Sequence, residues 1–237
     1  MKFILAEELK KEFYVRAKFY KLVYDSNNII PCRSVLEIIR IDKKEDILKE
    51  NKNPNAIFIM MNPGSSEPKD KNYNIPEVKQ SDISICKDLE FVETNPDVTQ
   101  YQIMRIMKAQ KWDYVKIINL SDYREADSSE FYQKIKEFDL IDKKHLNSIF
   151  SKERDKEFND LLNNEENIKV IVVWGISEEL ENLIKIAITK SQLDKRIGLW
   201  KGEGNIYYYH PCPRIVEDRK KWLEDINKII QSHYIFL

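Results

Sequence analysis

The chain is poor in the residues that build metal and disulfide sites. Its 237 residues include three cysteines and three histidines. The cysteines, Cys32, Cys86 and Cys212, are far apart and odd in number, a pattern that predicts neither a disulfide framework nor a zinc knuckle. None of the histidines stands at ligand spacing from them. We therefore expect no metal, no cofactor and a reducing, cytoplasmic setting.

An excess of one charge and long apolar runs are also lacking. Lysine and arginine number 39 and aspartate and glutamate 40, for a formal net charge of −1. This balance gives no support to non-specific nucleic-acid binding, but it is compatible with a local basic patch. The N-terminus becomes acidic too early for a signal peptide, and no apolar run approaches the roughly 20 residues of a membrane span. We expect no membrane association, and the oligomeric state stays open.

Three catalytic signatures are missing as well. Glycine is scarce, with 5 residues, and no glycine-rich turn carries the Lys-Ser or Lys-Thr pair of a P-loop. A dinucleotide-binding fingerprint and a nucleophile elbow are both absent. The sequence thus gives no sign of a P-loop NTPase, a Rossmann dehydrogenase or a serine hydrolase.

What the chain does have is four short apolar runs, separated by segments with helical spacing. The runs cover residues 56–61, 115–118, 170–173 and 206–209. Runs that are apolar at successive positions are typical of strands covered on both faces. Between them, Thr99 and Gln102 read as a capping box that opens a helix. We predict an α/β fold of three layers, α/β/α, with a central, mainly parallel four-stranded sheet.

The first part of the chain has a different pattern. Residues 11–41 are rich in β-branched and aromatic side chains, and the turn-forming residues 25–28 interrupt them. This predicts an antiparallel hairpin or small meander. We divide the chain into a flanking β segment, residues 1–54, and an α/β domain, residues 55–237.

Polar residues follow three of the apolar runs at the point where each run ends. Asn62 follows the first run, Asn119 the second and His210 the fourth. Ligands of parallel sheets bind just beyond the carboxyl ends of the strands. We therefore expect these three side chains to meet in one crevice.

The motifs around these residues resemble the uracil-DNA glycosylase superfamily. Residues 61–64, Met-Asn-Pro-Gly, resemble the first motif of its mismatch-specific uracil/thymine branch, and residues 117–120, Ile-Ile-Asn-Leu, resemble the strand whose Asn reads the base. Residues 172–175, Val-Val-Trp-Gly, and 210–213, His-Pro-Cys-Pro, resemble the two later motifs. The stretch around Asn119 is similar to a group of uncharacterised bacterial and phage proteins. The likeness covers roughly residues 55–216.

The resemblance implies cleavage of the N-glycosidic bond of a modified or mismatched base that is flipped out of a nucleic acid, namely DNA. In that scheme the catalytic residues are Asn62, which positions water, and His210, which stabilises the departing base. The base-binding residues are Asn119, Pro63 and Gly64. The nucleic-acid contacts are Arg214, Ile215 as a wedge, and Arg124.

Departures from the family leave alternatives open. Asn62 stands where active members carry Asp, and an amide cannot accept a proton. Glu67 or Asp70 would have to replace that acid, and Tyr73, Phe91 or Tyr123 would have to stack on the base. A non-catalytic module that binds a nucleobase, nucleotide or nucleic acid is therefore the alternative, and a partner-binding role in phage–host defence is a third.

Overall fold

The computed structural model describes residues 3–162, 168–202 and 206–232. The helices in these ranges are α1 (Ala6–Glu12), α2 (Lys44–Lys49), α3 (Val98–Gln110), α4 (Ser128–Ile141), α5 (Asp155–Leu162), α6 (Glu181–Ile188) and α7 (Val216–Ser232). The strands are β1 (Phe13–Val23), β2 (Ile29–Arg40), β3 (Ala56–Met60), β4 (Glu77–Lys79), β5 (Val92–Glu93), β6 (Tyr114–Asn119) and β7 (Lys169–Val172). Segments of 3₁₀-helix connect them, of which the longest described is Gln80–Asp88.

The strands form one sheet whose order is β4-β1-β2-β6-β3-β7, with β5 paired to β1. The central strands β6, β3 and β7 are parallel. The hairpin β1–β2 is antiparallel, and β2 also pairs antiparallel with β6. Strands from both sides of residue 54 therefore belong to one hydrogen-bonded sheet. The domain boundary at residue 54 stays a prediction.

Helices cover the sheet on both faces, which confirms the three-layer α/β fold. Along β3, Phe58 and Met60 face a core that is shared with α1, α3 and α7. Ile57 and Ile59 face a second core, shared with α4, α5 and α6. Because successive strand residues point to opposite faces, a strand that is apolar at every position must be covered twice.

The N-terminal hairpin forms where it was predicted. Asp25 closes its turn, since the Asp25 carboxylate accepts hydrogen bonds from the backbone N–H groups of Asn27 and Asn28 at 2.8 and 3.0 Å. Asp and Asn favour turns because their short polar side chains bond the local backbone.

The fourth predicted strand, residues 206–209, is wrong. Tyr208 makes only isolated antiparallel bridges, to Gly175 and Trp200. The place beside β7 is taken instead by Ile197, which forms a parallel bridge with Ile171. The aromatic run reflects burial of Tyr207 and Tyr208 in the second core, not a place in a parallel ladder.

The predicted start of α3 is also wrong. The capping box is formed by Asp97 and Gln100, not by Thr99 and Gln102. The Asp97 carboxylate accepts from the Gln100 backbone N–H at 2.9 Å. Aspartate is a stronger N-cap than threonine, which favours Asp97 over Thr99 as the start of the helix. In the described ranges, no helix has the length and apolar character needed to cross a membrane.

Candidate functional site

A cavity of about 260 Å³ opens at the carboxyl end of β3. Three segments build it: the loop after β3, the first turn of α3, and residue His210. Arg33 and Ile117 contribute from β2 and β6. The residues that line it are Arg33, Met60, Met61, Asn62, Pro63, Gly64, Ser65, Asp97, Val98, Thr99, Gln100, Ile117, Ala126 and His210. Asn62 and His210 thus share one cavity, although His210 does not follow a strand of the described ranges and Asn119 is not among the lining residues.

Asn62 is oriented by the loop after β6. Its side-chain Nδ2 donates to the carbonyl of Glu125 at 2.6 Å and lies 3.5 Å from the carbonyl of Tyr123. These bonds define the amide orientation and leave Oδ1 as the acceptor side of the group. Asn62 therefore presents an acceptor whose direction is set before any ligand arrives.

Asn119 lies behind the cavity and not in its wall. The residue has no exposed surface. In the amide orientation that satisfies both polar atoms, its nitrogen donates to the backbone carbonyl of Asn62 at 3.2 Å, and its oxygen accepts from Nη2 of Arg33 at 3.2 Å. Base binding by Asn119 stays a prediction, and it requires the exchange of these two bonds for bonds to a ligand.

His210 is held in a neutral state by its surroundings. Desolvation lowers the pKa of the imidazole to about 4. The backbone N–H of Cys212 donates to Nδ1 at 3.2 Å. A neutral imidazole that accepts at Nδ1 carries its proton on Nε2, so the second ring nitrogen is a hydrogen-bond donor.

Two helices position the loop that carries His210. The Gln102 side chain donates to the carbonyl of Pro211 at 3.0 Å, and the indole of Trp222 donates to the carbonyl of Tyr209 at 3.1 Å. The Arg219 guanidinium donates to the carbonyl of Pro213 at 2.6 Å. Backbone groups of the loop are thus tied to α3 and α7, which sets where the imidazole lies.

Arg33 is one of two charged residues of this cavity that sequence reasoning missed. Only 2% of it is exposed, and no ion pair to it occurs among the described residues. Its Nε and Nη1 have no hydrogen-bond partner there. Burial lowers the pKa of the guanidinium to about 10, and the nearby Asp97 carboxylate only partly opposes this. The sequence pattern did not point to Arg33, because the residue lies within the antiparallel strand β2 and not at the end of a parallel strand.

Pro63 and Gly64 both line the cavity, directly after Asn62. Gly64 has φ of +61°, in the left-handed region that favours glycine. Within the described chain, no atom lies within 4 Å of the position that a Cβ would occupy. The glycine is therefore needed for the backbone angle and not for space.

The three predicted nucleic-acid contacts occupy different environments. Arg214 is exposed, and Ile215 is 62% exposed just before α7. Arg124 is mostly buried: its side chain is 11% exposed, lies 3.5 Å from the Glu67 carboxylate and packs over the ring of Phe19. Surface exposure is compatible with the predicted roles of Arg214 and Ile215, whereas Arg124 would need to leave its present contacts.

The proposed substitute acids and stacking aromatics lie elsewhere. Glu67 is exposed and pairs with Lys71 at 2.6 Å, and Tyr123 stacks on Phe131. Asp70, Tyr73 and Phe91 line a separate surface cavity. The carboxylate that does line the Asn62 cavity is Asp97. Sequence reasoning missed it because it precedes a helix and does not follow a strand.

Cys32, Cys86 and Cys212 are free thiols. Within the described ranges, no group of three or more His, Cys, Asp or Glu side chains is placed to hold a metal ion. Comparison with protein-family models, with curated proteins and with solved structures finds no match to the chain.

Proposed function

We propose that the cavity receives a base flipped out of DNA and that the protein hydrolyses its N-glycosidic bond. The observation that carries this proposal is the convergence of Asn62 and His210 on one cavity at the carboxyl end of the parallel strands. The order of the motifs, which resembles the uracil-DNA glycosylase superfamily, supports the same chemistry.

The leaving base is the partner of His210. When the C1′–N bond breaks, its electron pair moves to the base and negative charge develops on a base oxygen. A neutral imidazole whose Nε2 carries the proton donates a hydrogen bond to such an oxygen. Removal of one such donor typically costs about 10²- to 10³-fold in rate.

The attacking water is the partner of Asn62. The Oδ1 atom accepts a hydrogen bond from water, because Nδ2 already donates to the Glu125 carbonyl. Water oxygen bonds to C1′ as the base departs, and the water must lose a proton. Asp97 is the carboxylate of the lining, so it is the group there that accepts this proton.

The proposal is tested with duplex and single-stranded oligonucleotides that carry single modified or mismatched bases, followed by alkaline cleavage of abasic sites. We expect an abasic product that is lost in Asn62→Ala and His210→Asn. Asp97→Asn keeps a good helix cap but removes the proton acceptor, so it separates chemistry from folding. His145→Asn is the matched control. Folded protein that gives no abasic product on any substrate contradicts hydrolysis.

A second function, binding without turnover, is favoured by one observation. Hydrolysis needs a group that accepts a proton from water. Asn62 is not an acid, and the Asp97 carboxylate already accepts a hydrogen bond from the Gln100 N–H as the cap of α3. A binding module would retain affinity for nucleobases or oligonucleotides in equilibrium dialysis while neither wild type nor His210→Asn forms product. Turnover by wild type excludes this alternative.

A further inference from the structure

We infer that the Asn62 cavity contains a binding subsite for the phosphate group of a nucleotide, formed by Arg33 and the first turn of α3. That the ligand is a nucleotide rests on the proposed function. The inference adds a site for its phosphate group, which cleavage of the base does not require. Two independent features of the cavity support it.

The first feature is the buried charge of Arg33. The residue lines the cavity and is 2% exposed, yet only Nη2 has a hydrogen-bond partner, the Asn119 amide oxygen. Nε and Nη1 have none in the described chain. A buried charge without a paired counter-ion is strongly unfavourable, and native proteins keep such groups where a ligand supplies the opposite charge.

The second feature is the N-terminal end of α3, a helix of 13 residues. Val98 and Thr99 line the cavity, and their backbone N–H groups have no partner among the described residues. The Asp97 carboxylate satisfies the Gln100 N–H instead, one position further along the helix. First-turn N–H groups point out of the helix end and bind phosphate groups well.

Asp97 limits which anion fits. It is the one carboxylate among the described lining residues, and no ion pair joins it to Arg33. Its charge would repel an anion placed against its free oxygen. The phosphate is therefore expected on the side of Arg33 and the Val98 and Thr99 amides, with the Thr99 hydroxyl as a further donor.

The phosphate has two possible sources, a free nucleotide or the backbone of a nucleic acid. Three probes separate them: inorganic phosphate, deoxynucleoside 5′-monophosphates with the matching nucleosides, and a short oligonucleotide with an abasic analogue. Affinities are measured by calorimetry or by NMR shift changes of the Val98 and Thr99 amides. We expect the 5′-monophosphates to bind at least about tenfold more tightly than nucleosides.

The variants test the two features separately. Arg33→Met is expected to weaken phosphate binding at least about tenfold, and Arg33→Lys less. Val98→Pro removes one backbone donor at the first helical position, where proline is tolerated, so it keeps the fold if Arg33→Met does not. Arg40→Met, on the same strand but outside the lining, is the matched control.

Each outcome decides between clear alternatives. Tighter binding of the oligonucleotide than of any monophosphate identifies the nucleic-acid backbone as the source, and the reverse identifies a free nucleotide. Equal affinities of nucleoside and monophosphate, or unchanged phosphate affinity in both Arg33→Met and Val98→Pro, overturn the inference. Binding is read without turnover, so its failure is distinct from failure of base cleavage.

Discussion

Two arginines are buried to the same degree in this protein, but their surroundings differ. Arg154 is 1% exposed and Arg33 is 2% exposed. Arg154 donates from Nη1 to Asp122 at 2.6 Å, and from Nε and Nη2 to Glu157 at 2.8 and 3.0 Å. Arg33 donates to one amide oxygen and faces a cavity.

The difference separates a structural charge from a charge that awaits a ligand. The carboxylates beside Arg154 raise its pKa well above the usual range, whereas burial lowers that of Arg33 to about 10. The Tyr20 hydroxyl also donates to Asp122 at 2.8 Å, which joins β1 to the segment after β6. Burial of a charge therefore does not distinguish the two roles, while the set of its partners does.

The contrast is tested most strongly at Arg154. Arg154→Met leaves the carboxylates of Asp122 and Glu157 buried without a cation, so we expect the free energy of unfolding to fall by about 3–5 kcal/mol. Urea denaturation measures it. Arg40→Met, which breaks an exposed pair with Asp42, should cost less than about 1 kcal/mol. A loss at Arg154 no larger than at Arg40 would mean that the paired network is not structural.

Gly198 and Gly64 differ in packing as Arg154 and Arg33 differ in charge pairing: one glycine is crowded by neighbouring atoms and the other is not. A Cβ at Gly198 would lie 2.5 Å from the Val172 carbonyl oxygen, so Gly198→Ala forces a shift of backbone and should cost about 1–3 kcal/mol. Gly64→Ala meets no atom within 4 Å and should cost only the strain of positive φ, about 1–2 kcal/mol.

Thermal and urea unfolding of both glycine variants give the measurement. The anion affinity should change for Gly64→Ala but not for Gly198→Ala, since only Gly64 lines the cavity. The opposite pattern would show that the two regions are not separable.

The pH response of His210 sharpens the description of the cavity. Its pKa is lowered from 6.5 to about 4, so the unfolded chain takes up a proton before the folded protein does. The stability contribution of the neutral imidazole is present above pH 6.5 and is lost as the pH falls toward 4.

Titration of the imidazole C–H signals by NMR, assigned with His210→Asn, measures this pKa directly. We also expect wild-type stability to decline more steeply than that of His210→Asn between pH 6.5 and pH 4. A His210 titration near 6.5 would show that the imidazole is not desolvated in the folded protein.

The smallest effect on stability is expected at Arg33. Arg33→Met loses the charge-assisted hydrogen bond to Asn119, about 1.5–3 kcal/mol, but it also removes the cost of a desolvated charge. Because these effects oppose each other, the free energy of unfolding should change by no more than about 1 kcal/mol in either direction. A loss as large as that of Arg154→Met would show that Arg33 is structural after all.

Much of the fold was predictable, because local patterns determine it. Apolar runs gave the positions of β3 and β7, the run at residues 115–118, which Lys116 interrupts, gave that of β6, and the turn around Asp25 gave the hairpin. The run at residues 206–209 was wrongly predicted as a strand, because aromatic residues that pack in a core give the same local pattern as a buried strand. The capping box was misplaced by two residues, because the usual capping-box pattern begins with Ser or Thr and matches Thr99, whereas Asp97 is the stronger cap.

Only part of the candidate site could be predicted from the sequence. Asn62, Asn119 and His210 were found because each follows an apolar run. Arg33 and Asp97 gave no such sign, as one lies inside an antiparallel strand and the other before a helix. The local sequence gives Arg154 one partner, Glu157 at i+3, but it does not show that Arg33 lines a cavity.

By itself, then, the sequence determined the layers, the hairpin and the strand ends, because these follow from which neighbouring residues are apolar. The pairing of β2 with β6, the position of Arg33 in the cavity of Asn62 and the contact of Arg154 with Asp122 all depend on tertiary structure. Such partnerships join residues far apart in the chain, and the physical role of a buried charge depends on those partners, not on its own identity.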